Sequence, residues 1–102
     1  TFAGCTKLRE ITIPEGVTHI EYYAFYNCKR LSSVILPEGL IEIGVDAFGE
    51  CKMLHSIIIP PTVREISHYA FRNNISLKRV TLSENTQVQA TAFPDDTIIT
   101  RI

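Results

Sequence analysis

The chain has 102 residues, of which 45% are hydrophobic and 21% charged, with a formal net charge of −1. This composition is that of an ordinary globular domain and excludes disorder, collagen and coiled coil. A balanced charge creates no field that concentrates phosphates, so nucleic acid is not an expected partner. Membrane insertion is not expected either, because apolar runs such as Ile57 to Ile59 are far shorter than the roughly 20 residues that span a bilayer.

A unit of 23 residues recurs along the chain. Successive phenylalanines are 23 residues apart, with a last interval of 22, and form the column Phe2, Phe25, Phe48, Phe71 and Phe93. Other columns keep the same spacing: Cys5, Cys28 and Cys51, followed by Asn74; Leu8, Leu31, Leu54 and Leu77; Ile11, Val34, Ile57 and Val80; Ile13, Leu36, Ile59 and Leu82. We therefore predict one repeat domain over residues 1–102, with four copies and a partial fifth, cut from a longer array.

Each copy begins with the pattern L-x-x-[IV]-x-[IL]-P, in which apolar residues alternate with variable ones. This alternation predicts one short, half-buried strand per copy. A 23-residue unit cannot enclose its own apolar side, so successive copies are expected to stack as turns of a right-handed coil, with parallel strands in one narrow sheet. Pro14, Pro37 and Pro60 end these strands because proline has no N–H to donate.

The rest of each copy, V-x-x-I-x-x-x-A-F, crosses back to the start of the next strand. It is too short and too rich in β-branched residues for a stable helix, so we expect a second short strand or an irregular extended segment. Glu-Gly pairs follow Pro14 and Pro37 and indicate turns, whereas Pro60-Pro61-Thr62 changes the third corner. The fold class predicted is a β-rich solenoid with little helix.

The combined pattern L-x-x-I-x-I-P-x-x-V-x-x-I-x-x-x-A-F-x-x-C resembles the BspA-like class of leucine-rich repeats. Residues 8–28 and 31–51 fit every fixed letter, whereas the last copy has Ser83 for Pro and Asn74 for Cys. The resemblance implies a right-handed solenoid with its strands on a concave side. It also implies a secreted or cell-surface protein that serves in adhesion or protein recognition. No catalytic or cofactor-binding residue is carried over with it.

The variable letters of the strands point away from the core and are the candidate partner-binding residues. Their second column reads Thr-Ile-Ile-Thr, a small apolar patch with hydroxyls beside it, which is typical of a recognition surface. Good strand propensity alone explains the same residues equally well. The candidates are Glu10, Thr12, Ser33, Ile35, Ser56, Ile58, Arg79 and Thr81.

The cysteine column could suggest metal or disulfide chemistry, but stacked side chains run parallel and do not converge on a metal. We predict buried free thiols. Asn74 begins a glycosylation triplet, yet an inward-facing Asn is a poor acceptor. Cys51 and His55 would form a nucleophile and base only on a helix. Histidines occupy different letters of the repeat, so no metal site and no cofactor are expected: these are His19, His55 and His68.

Four tyrosines surround the A-F letters: Tyr22, Tyr23, Tyr26 and Tyr69. Their two interpretations are packing on the convex side and contact with a partner.

Two functional hypotheses follow. The first is a non-enzymatic recognition or adhesion module whose concave face, centred on Ile35 and Ile58, binds a host or matrix protein or a glycan. The second is a structural spacer inside a larger cell-surface solenoid, with no ligand of its own. In the second case the uncapped ends would favour self-association. An enzyme is not expected, because the pattern offers no convergent acid, base and nucleophile.

Overall fold

A computed structural model of the chain describes residues 3–102, and this part contains nine short strands and no helix, hence no helix able to cross a membrane. Four of the longer strands are those predicted from L-x-x-[IV]-x-[IL]: β1 (Glu10–Thr12), β3 (Ser33–Ile35), β5 (Ser56–Ile58) and β7 (Arg79–Leu82). The fifth, β9 (Ile98–Arg101), was not predicted. A two-residue strand follows each of the first four: β2 (His19–Ile20), β4 (Glu42–Ile43), β6 (Glu65–Ile66) and β8 (Gln87–Val88).

All strand pairs are parallel, and their register follows the repeat. Ile11 lies opposite Val34, and Ile20 lies opposite Ile43, so each residue faces its equivalent one turn later. The crossing segments form one four-stranded sheet in the order β2-β4-β6-β8. The predicted fold class, a parallel β-solenoid, is thereby confirmed.

The longer strands do not form the single sheet that the sequence indicated. They form two groups, β1-β3 and β5-β7-β9, and in the described residues no strand pairing joins β3 to β5. The interruption coincides with Pro60-Pro61, the one corner in the first three copies that departs from Pro-Glu-Gly. Beneath it the core continues, since Val34 and Ile57 are both buried in the same cluster. Side-chain packing, together with the backbone pairing of β4 with β6 in the crossing sheet, therefore holds the two groups together.

The phenylalanine column forms the spine of the core. Phe25, Phe48, Phe71 and Phe93 stack face to face, with ring centroids 5.2, 5.2 and 4.9 Å apart. Phe48 and Phe71 are fully buried. Centroid spacings close to the roughly 4.8 Å between parallel strands show that rings and backbones advance in step. The predicted column is confirmed for these four residues; Phe2 lies outside the described part of the chain.

Thr62 stabilises the turn after β5, at the position where the first two copies have a glycine. Gly16 and Gly39 have positive φ angles of 96° and 97°, which glycine adopts without steric cost. At the equivalent place in the third copy the Thr62 hydroxyl accepts from Gly39 N at 3.1 Å and donates to Leu40 O at 2.8 Å. In the fourth copy Ser83 replaces the proline, and its hydroxyl accepts from the N–H of Asn85. Side-chain hydrogen bonds thus replace the glycine turn.

The crossing segment bends at two columns of left-handed residues. One column contains Tyr23, Asp46 and Tyr69, with φ between 54° and 61°. The other contains Asn27, Glu50 and Asn73, preceded by Gly4. Positive φ is uncommon for residues other than glycine, and it is costly for a bulky tyrosine. The packed rungs above and below hold these bends in place.

Removing one ring from the spine is expected to cost far more than removing an exposed ring. Phe48→Ala should lower the free energy of unfolding by about 3–5 kcal/mol, because the packed rings on both sides cannot close the cavity. Tyr22→Ala, at a side chain that is 69% exposed, should lower it by less than about 1 kcal/mol. Urea denaturation followed by circular dichroism measures both, and equal losses would contradict a stacked core.

Candidate functional site

The outward letters of the longer strands lie together on one surface. In β3 and β5 the middle residues, Val34 and Ile57, are buried, and the residues on either side are exposed. We name the eight outward residues of the first four rungs the strand face; seven are exposed and Thr81 is half-buried. They are Glu10, Thr12, Ser33, Ile35, Ser56, Ile58, Arg79 and Thr81.

Ile35 and Ile58 form the centre of the strand face. Their exposed fractions are 59% and 73%, unusually high for isoleucine in the middle of a repeat whose other branched residues are mostly buried. Register places Thr12 opposite Ile35 and Thr81 opposite Ile58. The two isoleucines also line a surface concavity of about 410 Å³, together with Glu38. An apolar centre therefore lies within a polar rim.

The strand face extends one rung further than the sequence suggested. In β9, Ile98 lies opposite Arg79 and Thr100 lies opposite Thr81, and both are exposed. A shortened loop brings Ile99 opposite Val80 after 19 residues instead of 23, and Arg101 stands opposite Leu82 in place of an apolar letter. A search at a fixed period therefore misses this rung.

The cysteine column consists of free thiols. Cys28 and Cys51 are fully buried, which confirms that part of the prediction, whereas Cys5 on the first turn is half-buried. Burial raises the pKa of Cys51 to about 12, and burial is also the main cause of the raised pKa of Cys28. The Cys51 Sγ donates to Phe25 O at 3.3 Å. It is therefore turned inward, while His55 is exposed, and the two do not form a catalytic pair.

Asn74 takes over the role of the missing fourth cysteine. It is fully buried, and its Nδ2 donates to Phe48 O at 2.8 Å and to Arg72 O at 3.1 Å. The bond to Phe48 is equivalent to the bond from Cys51 to Phe25. An amide nitrogen engaged twice inside the core is not accessible for glycosylation, in agreement with the expected inward orientation.

The three histidines occupy different positions of the repeat. His19 Nδ1 is 2.9 Å from the hydroxyl of Thr18, and His68 Nδ1 is 3.0 Å from that of Thr91. Within residues 3–102, no three His, Cys, Asp or Glu side chains are grouped as metal ligands.

An ion pair between a buried carboxylate and a half-exposed arginine crosses the A-F side of the solenoid. Arg72 Nη2 donates to Asp46 Oδ2 at 3.0 Å, and the Asp46 side chain is almost completely buried. Asp46 is also the main cause of the raised pKa of Arg72. The guanidinium carbon lies 5.0 Å from the ring centroid of Tyr69, a cation–π distance. This pair joins the second and third copies, and no repeat letter predicted it.

The tyrosines pack against one another and remain accessible. Tyr23 lies edge-on to Tyr22 and Tyr26, with ring centroids 5.8 and 5.1 Å apart. Tyr22, Tyr23 and Tyr69 are all more than 40% exposed. The packing interpretation is therefore supported, and the exposed edges leave contact with a partner as a prediction.

Thiol reactivity should distinguish the half-buried Cys5 from the buried Cys51. At pH 8, a thiol reagent should modify Cys5 in the folded protein and reach Cys51 only after unfolding, because Cys51 is buried and its pKa is about 12. Mass spectrometry after timed labelling identifies the modified residue.

The same burial predicts a pH effect on stability. Because the pKa of Cys51 is raised by folding, the thiol loses its proton in the unfolded state at a lower pH than in the folded state. The stability that the neutral thiol contributes is therefore fully present below the unfolded pKa of about 8.5, and it is lost as the pH rises towards about 12. The free energy of unfolding should therefore fall more steeply in this window for the wild type than for Cys51→Ala. Parallel slopes, or labelling of native Cys51, would contradict the inward orientation.

Comparisons with known proteins agree with this architecture. Residues 1–100 match the family model described as BspA type leucine-rich repeat region, in six copies. A crystal structure of a leucine-rich repeat protein from Bacteroides ovatus ATCC 8483 is similar over 99% of the chain, with 32% identity and a TM-score of 0.84. A leucine rich cell surface protein from Faecalibacterium prausnitzii A2-165 is similar over 90%, with 22% identity and a TM-score of 0.75.

The chain spans only 27% and 31% of the lengths of these two solved chains. No curated protein sequence matches it.

Proposed function

Because the chain belongs to the BspA-type leucine-rich repeat family, we propose that it is a non-enzymatic recognition or adhesion module that binds a protein partner through the strand face. The observation that carries this proposal is the pair of exposed isoleucines, Ile35 and Ile58, at the centre of that face. Exposed apolar residues grouped within a polar rim are characteristic of protein interaction sites.

The position of these isoleucines favours tight recognition. They stand on strands whose middle residues are anchored in the core, so their backbones lose little freedom when a partner binds. Branched side chains on a strand also have few rotamers to lose. Around them, Ser33, Ser56 and Thr12 offer hydroxyl groups that can pair with polar atoms of the partner.

A cell-surface location is part of the proposal. It is supported by the family and by the solved chain from F. prausnitzii, which is called a leucine rich cell surface protein. At a surface, the partners to be considered first are host or matrix proteins, with a glycan as the other ligand class.

The charged groups of the strand face do not suggest catalysis. Glu10 and Arg79 are three rungs apart, so they cannot act on the same reacting atom. The nucleophile with the most strongly raised pKa, Cys51, faces the core. Catalysis needs an acid, a base and a nucleophile that converge, and the strand face does not bring these groups together.

Negative charges placed at the centre of the face test the proposal. In Ile35→Glu/Ile58→Glu, binding to any ligand selected from purified matrix proteins should weaken at least tenfold, because two desolvated apolar contacts become buried charges. Ile75→Glu is the matched control, since Ile75 is 62% exposed and lies outside the strand face. Surface plasmon resonance measures binding, and circular dichroism confirms the fold. An unchanged affinity in the folded double variant would exclude the strand face.

One observation favours the spacer role as a second candidate. The first turn has an open apolar groove of about 450 Å³, lined by core letters that include Ile11, Ile13, Val17, Ile20 and Phe25. Uncovered rungs of this kind associate with other rungs in repeat proteins.

On the spacer hypothesis, the isolated chain should self-associate in sedimentation velocity experiments as its concentration rises. Val17→Glu should shift it towards monomer by placing a charge in the groove, whereas Ile75→Glu should not. A wild-type chain that stays monomeric at high concentration would count against this second role.

A further inference from the structure

Cations are concentrated on one edge of the solenoid. Seven of the ten Lys and Arg residues lie in the C-x-x-L-x-x segments, which lead into the longer strands. We name these residues the basic edge, and all are exposed: Lys7, Arg9, Lys29, Arg30, Lys52, Lys78 and Arg79. Acidic residues occupy the turns that follow the strands: Glu15, Glu38 and Glu84. These are three of the eleven acidic residues, and the net charge of −1 conceals a local excess of positive charge on the basic edge.

Three of these cations surround one concavity. Arg9, Lys29 and Arg30 line a space of about 380 Å³ together with Ser32 and Met53, and no acidic residue lines it. Stacking brings them together, because Ser32 N and Oγ both donate to Arg9 O, at 2.8 and 3.2 Å. These bonds place the second rung directly above the first.

The same three cations have no internal counter-charge. Lys52 is 3.7 Å from Glu50, and Lys78 is paired with Asp96, whose pKa is lowered chiefly by the hydrogen bond from Lys78. No such ion pair involves Arg9, Lys29 or Arg30 within residues 3–102. Three uncompensated cations around one concavity form a site for an anion supplied from outside.

We propose that the basic edge binds a linear anionic polysaccharide, with its sulfate or carboxylate groups held between Arg9, Lys29 and Arg30. The planar guanidinium groups of the two arginines can each bind such a group with two parallel hydrogen bonds. Arg9 belongs to the first rung, and Lys29 and Arg30 lead into the second, about 5 Å further along the stack, so a linear polymer can contact two rungs at once.

The chemistry of the edge favours a polysaccharide over other anionic polymers. Single-stranded nucleic acids are bound by basic grooves with stacked aromatic residues, and the tyrosines of this chain lie on the A-F side instead. An acidic peptide is usually recognised with apolar side-chain pockets, whereas Met53 is the only apolar residue that lines this concavity. A sugar chain requires neither. The concavity between Arg9, Lys29 and Arg30 shares no lining residue with the strand face, and this proposal does not depend on the role proposed for that face.

Binding of defined polymers tests the proposal. Heparin fragments and polygalacturonate provide sulfate and carboxylate chains, dextran is the neutral control, and oligothymidylate and polyglutamate are the competing anions. Isothermal titration calorimetry should show binding of at least one anionic polysaccharide and none of dextran, with affinity that falls as salt rises. The stronger of the two polysaccharides identifies the preferred anionic group.

Substitutions locate the site. Arg30→Gln should weaken binding about fivefold, and Arg9→Gln/Lys29→Gln/Arg30→Gln about a hundredfold, if each cation contributes as it does near an anionic surface. Arg64→Gln is the matched control, because it removes one exposed cation outside the edge and should change binding less than about twofold. Ile35→Glu/Ile58→Glu should leave polysaccharide binding unchanged, which separates this proposal from the strand face.

Three results would overturn the assignment. One is an equal loss in Arg64→Gln and Arg30→Gln, which would indicate a diffuse field. Another is tighter binding of oligothymidylate or polyglutamate than of either polysaccharide. The last is a salt-sensitive dimer without polysaccharide binding, in which the acidic turns of a second copy occupy the basic edge.

Discussion

Each turn of this chain has an apolar side that only the next turn can cover, and the rest of the structure depends on that constraint. Stacked rings 4.9 to 5.2 Å apart keep Phe25, Phe48, Phe71 and Phe93 in step with the strands. A residue that points inward must therefore match its neighbours above and below in size and polarity. A residue that points outward has no such requirement, so binding chemistry can change there without loss of the fold.

Stacking constrains buried polar groups in the same way. The carbonyl of each core phenylalanine needs a donor, which Cys51 supplies to Phe25 and Asn74 supplies to Phe48. In the turns that follow the longer strands, the Thr86 hydroxyl donates to Val63 O at 2.8 Å. One turn earlier, the Thr62 hydroxyl donates to Leu40 O at the same distance. A buried carbonyl without a hydrogen-bond donor destabilises the fold. When the donor residue at such a position changes between copies, as from Cys51 to Asn74, the new side chain makes the equivalent bond.

The periodic letters were sufficient to predict the parallel strands, their register and the buried columns, because each of these features depends on residues one period apart. Features that depend on other separations were not visible. Asp46 and Arg72 are 26 residues apart, and their pairing depends on side-chain reach between two different letters. The split between β3 and β5 and the left-handed φ of Tyr23 are backbone adjustments that leave the hydrophobic pattern unchanged. Ile98 and Thr100 were missed because a shortened loop changes the period.

Position within the repeat also decides which surfaces can act independently. The strand face and the basic edge come from adjacent letters of the repeat, and Arg79 belongs to both. The backbone that carries them is anchored by neighbouring residues in one common core. On the two proposals made above, such a scaffold would engage a protein and a polymer together, and the second contact would form at a high effective concentration. Two individually weak contacts would suffice for firm attachment, because stacking fixes the distance between them and little freedom remains to be lost.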